Sequence, residues 1–224
     1  MDYEELLDLV KRRRTCRTFL PDPVSDDLIY KIIEVARWAP SGANTQPWDF
    51  VVVTKPELKQ KIADFIAEQA TLTRKMEMTR RSSGSTPPRP EPGLLSAPVL
   101  IVLVGDPRTI EAYPVYSALQ RGQSNLDVSL ASAFVYMHLA ATSLGLGCGW
   151  ISATRNYYVQ VMTKELLGIP RELTIFDTMT LGYAASQPPP REVKTLDQII
   201  HFDGYDITRF KPNFMMRDES RPSL

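Results

Sequence analysis

Lys11-Arg12-Arg13-Arg14-Thr15-Cys16-Arg17-Thr18-Phe19 sets five cations beside two threonine hydroxyls at the end of an amphipathic segment. Lys11 and the four arginines repel one another, so a stable fold must spread them into water or share an anion among them. Guanidinium groups grip phosphate oxygens through paired, charge-assisted hydrogen bonds, and Thr15 can add a hydroxyl donor. Taken alone, the run also reads as a basic helix end in which Lys and Arg complement the dipole. The residues on either side separate these readings.

Before the run, Tyr3, Leu6, Leu7 and Val10 recur at helical spacing and predict a helix over Tyr3 to Arg13 that delivers the cations at its C-terminal end. After Pro21 and Pro23, Ser25 offers an N-cap, and Asp26 and Asp27 suit a first turn. Leu28, Ile29, Ile32, Ile33 and Ala36 then form the apolar face of a second helix, stopped by Pro40. Next comes Pro40-Ser41-Gly42-Ala43-Asn44-Thr45-Gln46-Pro47-Trp48. This segment and Arg13-Arg14-Thr15-Cys16-Arg17-Thr18-Phe19, in this order and one helix apart, resemble the nitroreductase family of FMN enzymes. That family pairs an R-R-[ST]-x-R-x-F element with P-S-x-x-N-x-Q-P-W. Matches near the C-terminus spread the resemblance over most of the chain.

The resemblance implies an α+β fold in which a central mixed sheet is flanked by helices. It further implies a homodimer built on a long central helix, with a C-terminal extension, here 188–224, wrapping the partner. Arg13, Arg14, Thr15 and Arg17 match the element that holds the FMN phosphate and ribityl chain, leaving Lys11 and Arg12 to solvent. Pro40, Ser41, Asn44 and Gln46 match the loop that meets the flavin near its ring and ribityl hydroxyls, although Asn and Pro also favour turns for local reasons. Trp150, Ile151 and Ser152 match the segment bordering the isoalloxazine, where Ser152 or a backbone N–H would reach N5 or O4; the same residues also read as a core strand. Gly182, in T-L-G-Y, matches a strand end of the family pattern. Arg191 sits where the family places a further phosphate-binding cation, with Lys194 the weaker candidate.

With 26 basic and 26 acidic residues among 224, the chain has no global charge with which to coat nucleic acid or an anionic membrane. Its basic patch is local, so its anion should be small. Hydrophobic content of 43% suffices for one large domain over 1–224. Cys16 and Cys148 follow no disulfide or metal spacing, and the start M-D-Y-E-E lacks a secretory pattern; a cytoplasmic address with reduced thiols is expected. Phe134 to Ile151 carries no formal charge, yet Gly145, Gly147 and Gly149 spoil its end as a helix, so it reads as core rather than membrane span.

Further along, Trp48 to Thr54 is rich in aromatic and β-branched residues and predicts a strand. Pro56 opens a third helix through Leu58, Ile62, Phe65 and Ile66. Arg80 to Gly93 is full of breakers and predicts a mobile lid. Pro98 to Gly105 resumes as an apolar strand. Asn125 to Leu144, apolar almost all round, predicts a helix in the core or in a subunit interface. Cys148 to Ser152 reads as a short strand, Tyr157 to Leu167 as a helix closed by Gly168, and Leu173 to Gly182 as a final strand.

Side chains able to carry chemistry are scarce. There are two histidines, and His138 in the apolar helix reads as a core residue while His201 reads as surface or a subunit contact. No metal-ligand spacing, nucleophile elbow or G-x-G-x-x-G after a strand is present, which disfavours metal hydrolysis, triads and a Rossmann unit. A redox cofactor would therefore supply the reactive centre. The expected activity is that of an FMN oxidoreductase that takes a hydride from NADH or NADPH and reduces an electron-poor small molecule, a nitroaromatic or quinone, through flavin N5. Two special branches of the superfamily fit less well. The flavin-destroying branch carries an acidic residue where Thr15 stands, and the iodotyrosine-dehalogenating branch uses a lid tyrosine that Glu68 to Arg81 lacks. Rivals from other classes are a module that binds nucleic acid or an acidic partner through Lys11 to Arg17, and an FMN-binding protein without turnover.

Overall fold

The seven residues of V-L-I-V-L-V-G, Val99–Gly105, are all buried and form one of the two interior strands of the sheet. In the computed structural model, which describes residues 2–80, 93–186, 188 and 191–210, the elements run in the following order. They are α1 (Tyr3–Arg12), α2 (Asp26–Ala36), β1 (Trp48–Val53), α3 (Pro56–Arg80), the single turn α4 (Gly93–Ser96), β2 (Val99–Gly105), α5 (Val115–Ser143), β3 (Gly147–Ile151), α6 (Tyr157–Leu167) and β4 (Thr174–Gly182). The lid expected at 80–93 lies, but for its end residues, outside the described residues.

The strands form one sheet in the order β1-β2-β4-β3. Every strand pairing in it is antiparallel. The mixed character expected of the sheet is confined to an isolated parallel bridge between Thr15 and Cys148. Period-2 alternation divides the side chains between two cores. Ile101, Leu103, Met179, Leu181 and Cys148 pack with α2 and α5, whereas Leu100, Val102, Val104, Ile151 and Ile175 pack with α3 and α6. The fold is α+β, with the sheet between two helical layers. Phe134 on α5 is fully buried with its ring centroid 4.4 Å from that of Trp150, and its truncation to Ala would cost about 3–5 kcal/mol.

Two elements depart from the sequence expectation. The central helix begins at Val115 rather than Asn125. Its first turns carry Gly122 and exposed apolar residues, so they lack a one-sided pattern; Gly122 is present because a Cβ there would meet Ile110 Cγ2 at 2.4 Å. The second departure is α1, whose apolar stripe of Tyr3, Leu6 and Val10 is exposed while Leu9 alone is buried. By contrast α6 has the expected ends, closed by Gly168 in the left-handed region at φ 67°.

Residues Met1–Pro188 and Pro189–Leu224 form two separate units. Within the second, the short 3-10 turns Leu196–Gln198 and Ile207–Arg209 are tied together by Arg209, which donates to the carbonyls of Asp197 and Ile200. His201 stacks on Tyr205 and accepts from the Asp206 N–H at 3.1 Å. Among the described residues, no helix is long and apolar enough to cross a membrane.

Candidate functional site

The capping box of Asp2 and Glu5 starts α1, and the chain leaves the helix at Arg13, whose ψ of 113° turns it into extended backbone. That turn lays Thr15 to Thr18 along the edge strand β3: the Cys16 N–H donates to the Cys148 carbonyl at 2.8 Å. Beyond it, Leu20 N–H donates to Tyr183 O at 2.8 Å and Ala185 N–H to Thr18 O at 3.0 Å, so the cationic run is clasped between β3 and the end of β4.

Arg12 pairs with Asp8 at 2.7 Å in water. Among the described residues, no carboxylate lies within ion-pair distance of Arg13, Arg14 or Arg17. These three guanidinium groups thus carry no counter-ion among the described residues, as an anion site requires. Arg13 also acts on what lies behind it. His138 Nδ1 and Cys148 Sγ are 3.1 Å apart in the core. Burial, and secondarily the charge of Arg13, depress the imidazole to about 4; burial lifts the thiol to about 12. Both groups are therefore neutral at pH 7 and form packing, not an acid–base pair.

Between the run and β3 lies a pocket of about 140 Å³ lined by Thr15, Cys16, Arg17, Gly149, Trp150, Ile151 and Thr180. Four of these were matched from the sequence: Thr15, Arg17, Trp150 and Ile151. Trp150 is held by its neighbours, with Nε1 donating to Asp177 Oδ2 at 2.6 Å and its ring stacked on His138. Asp177 is itself buried, and desolvation raises its carboxyl above the usual range despite that hydrogen bond. It owes this position to a bulge at Leu103 and Val104 that makes Phe176 the extra residue of β4. Ser152 follows as an exposed residue at the start of a 3-10 turn.

Cys16, Gly149 and Thr180 are the pocket residues missed in the sequence. A Cβ at Gly149 would sit 2.5 Å from Thr180 Oγ1 and 2.9 Å from the Cys16 carbonyl oxygen, so only glycine leaves this floor open. The sequence held one signal for Thr180: Asp177, Thr178 and Thr180 are polar residues in a strand otherwise apolar enough to be core. Gly182, by contrast, has a packing reason and does not line the pocket, since its Cβ would strike Pro98 Cδ at 2.5 Å. A second depression of about 190 Å³, beside Gln123, Asp127 and Arg155, offers no comparable cluster of cations; Arg155 there donates to the Phe176 carbonyl and lies over its ring.

The Pro40 to Gln46 segment stands elsewhere. Ala43, Asn44 and Gln46 have positive φ of 51°, 51° and 47°, a cluster of left-handed residues that marks a shaped loop. Ser41 Oγ accepts from the Gln46 N–H at 3.0 Å, and the Gly42 N–H donates to Ser129 Oγ on α5 at 3.2 Å. Asn44 and Gln46 are exposed. Two rulers show the separation from the cationic corner. Ser129, at the loop, and His138, at Cys148, are nine residues or about 13 Å apart along α5. Trp48 pairs with Gly105, while Cys148 pairs with Leu181 and so lies level with Val99. The two motifs thus stand at opposite corners of the sheet, about 14 Å apart across the strands and about 20 Å along them. One copy of the chain does not bring them together. Arg191 is an exposed residue of the second unit.

Comparison with known proteins agrees with this architecture. The model of the Nitroreductase family matches residues 10–183. A relative in Archaeoglobus fulgidus, named "Putative NADH dehydrogenase/NAD(P)H nitroreductase", is 30% identical over 180 residues, covering 80% of this chain and 86% of its own. Iodotyrosine deiodinase 1 of Rattus norvegicus is 28% identical over 213 residues, 89% of this chain and 70% of its own. Among solved structures, the FMN-dependent nitroreductase of Clostridium difficile superposes with a TM-score of 0.64 at 22% identity, covering 89% of this chain and 99% of that one.

Proposed function

The chain belongs to the nitroreductase family, and from that premise we propose that it is an FMN-dependent oxidoreductase that uses NADH or NADPH to reduce a small, electron-poor acceptor of the nitroaromatic or quinone type. One observation carries the reading: Arg13, Arg14 and Arg17 have no ion-paired carboxylate among the described residues, and Arg17 lines a pocket whose floor is opened by Gly149. These residues fit a flavin nucleotide. The arginines, with Thr15, would neutralise the phosphate. Trp150 and Ile151 would border the ring. FMN, when bound, supplies the chemistry: it accepts a hydride at N5 and hands the electrons to the acceptor. The chain's own residues bind, orient and shield. Trp150, braced by Asp177 and by stacking on His138, keeps one face of the pocket rigid and apolar. The neutral His138 and Cys148 behind it add no proton donor that titrates near pH 7.

The separation of the two motifs supports a homodimer in which Ser41, Asn44 and Gln46 of one protomer complete the pocket of its partner. The exposed apolar residues of α1 and α5, Tyr3, Leu6, Val10, Val115, Tyr116, Leu119 and Val128, supply the contact such a dimer needs. A cytoplasmic protein with its two thiols reduced agrees with Cys16 and Cys148 packing on opposite faces of the sheet. The similarity to a deiodinase over 89% of the chain favours a second reading, reductive dehalogenation of a halophenol on the same cofactor. The test is direct. The purified protein should be yellow, release FMN on heating, and oxidise NADH or NADPH faster when a quinone or nitroaromatic is added. Release of FAD, or failure to take up added FMN, would overturn the proposal; turnover of iodotyrosine alone would select the second reading.

A further inference from the structure

Thr178 and Thr180 point to the same face of β4, two residues apart, and both are fully buried. The hydroxyl of Thr178 bonds with Thr154 Oγ1 at 3.0 Å, whereas Thr180 Oγ1 has no partner among the described residues. An unpaired buried hydroxyl is a cost that a single change to valine would remove. The orphan is also the one that lines the pocket, at the point where Gly149 lacks a side chain and the Cys16 carbonyl oxygen faces the same space.

We propose that the Thr180 hydroxyl is a binding group for the uncharged part of the flavin nucleotide, its ring edge or ribityl chain, reached across the bare face of Gly149. The assignment rests on the FMN reading above. The phosphate is not its partner: a neutral hydroxyl at the centre of a sheet cannot compensate the desolvation of a dianion, and the unpaired arginines stand ready for that charge. Thr180 and the arginines therefore divide the ligand, the arginines recognising what distinguishes FMN from riboflavin and Thr180 what the two share.

Thr180→Val keeps shape and removes the hydroxyl. Titrated against flavin fluorescence, the flavin-free variant should bind FMN and riboflavin each about tenfold more weakly than wild type, as loss of one hydrogen bond implies. Without flavin it should melt about 2–4 °C higher than wild type, because the orphaned group is gone. A purely structural threonine would give the opposite shift in melting. Gly149→Ala, which fills the space before the hydroxyl, should weaken both flavins as well. Three results overturn the assignment: unchanged affinity in Thr180→Val, a loss for FMN but not for riboflavin, or a lower melting temperature. Wild type that binds neither flavin overturns the FMN reading itself, an outcome distinct from these three.

Discussion

The Arg13 to Arg17 corner and the Ser41 to Gln46 loop are neighbours in the chain, separated by one helix, yet they occupy opposite corners of the sheet. They also differ in kind. The corner is a set of unsatisfied groups: three arginines without ion-paired carboxylates among the described residues, a glycine-floored pocket and an orphaned hydroxyl. The loop satisfies its own hydrogen bonds through Ser41, Gly42 and Ser129, while holding its backbone in left-handed conformations and turning Asn44 and Gln46 outward. One region opens a pocket, and the other turns its polar side chains to the surface. A second copy, with its own corner and loop, is the simplest object that satisfies both.

The most severe way to break this comparison is to keep the two copies apart. Val128 and Val135 are exposed on α5 and, seven residues apart, lie on one face of the helix. The double variant Val128→Glu, Val135→Glu should run as a monomer in light scattering. It should also lose FMN affinity by about two decades or more, since several contacts from the loop vanish at once. A folded monomer that binds FMN as tightly as wild type would show that the loop takes no part in the site.

Next in size is the charge itself. Arg17→Ala should weaken FMN by about 1.5–3 kcal/mol, one to two decades, while riboflavin binds nearly as before. Arg12→Ala should be close to silent, because Arg12 is exposed and already paired with Asp8, and such pairs contribute about 0–1 kcal/mol. Equal losses for FMN and riboflavin would mean that Arg17 holds the fold rather than the phosphate.

The corner also has a titratable backing that the loop lacks. Folded His138 sits at about 4, below its ordinary 6.5, because it is buried near Arg13. The unfolded chain therefore takes up a proton between pH 6.5 and 4 that the folded chain refuses, so stability is present above pH 6.5 and falls as pH drops. From pH 7 to pH 5 this residue alone should remove about 2 kcal/mol. Urea unfolding of wild type and His138→Met at both pH values checks this: the variant, whatever its absolute stability, should show a pH dependence smaller by that amount. Identical dependences would mean that His138 takes up its proton in the fold as readily as in the unfolded chain.

The contrast explains what could be read from the chain and what could not. Helix α6 was legible to both ends because its apolar spacing stops at Gly168, whose left-handed φ is needed there. Thr15 and Arg17 could be singled out because they belong to a run whose charges and hydroxyls crowd in sequence, and both line the pocket. Thr180 was hidden: a hydroxyl in a buried strand shows only as a polar letter, and whether it finds a partner, as Thr178 does, is decided by α6-side packing that no local pattern encodes. The first ten residues of α5 and the outward stripe of α1 were misjudged for a related reason. Their apolar residues are exposed in the protomer, so their spacing does not report on its own core. The distance between the two motifs was hidden as well, since it follows from strand order.

The finest test concerns the strain in the loop. Ala43 is exposed, with φ 51° and ψ 23°, so its side chain contributes little except the cost of a left-handed backbone, about 1–2 kcal/mol for a residue with a Cβ. Glycine removes that cost but gives back about 0.5–1 kcal/mol in chain entropy. Ala43→Gly should therefore stabilise the flavin-free protein by up to about 1 kcal/mol in urea unfolding, without tightening FMN. Its neighbour argues the opposite way. A Cβ at Gly42 would lie 2.2 Å from the Tyr113 hydroxyl, so Gly42→Ala must displace that ring or the loop, and should destabilise. If Ala43→Gly destabilises too, the left-handed turn is not strained in the protein, and the loop's shape owes more to Ser41 and Ser129 than to a tension held at residue 43.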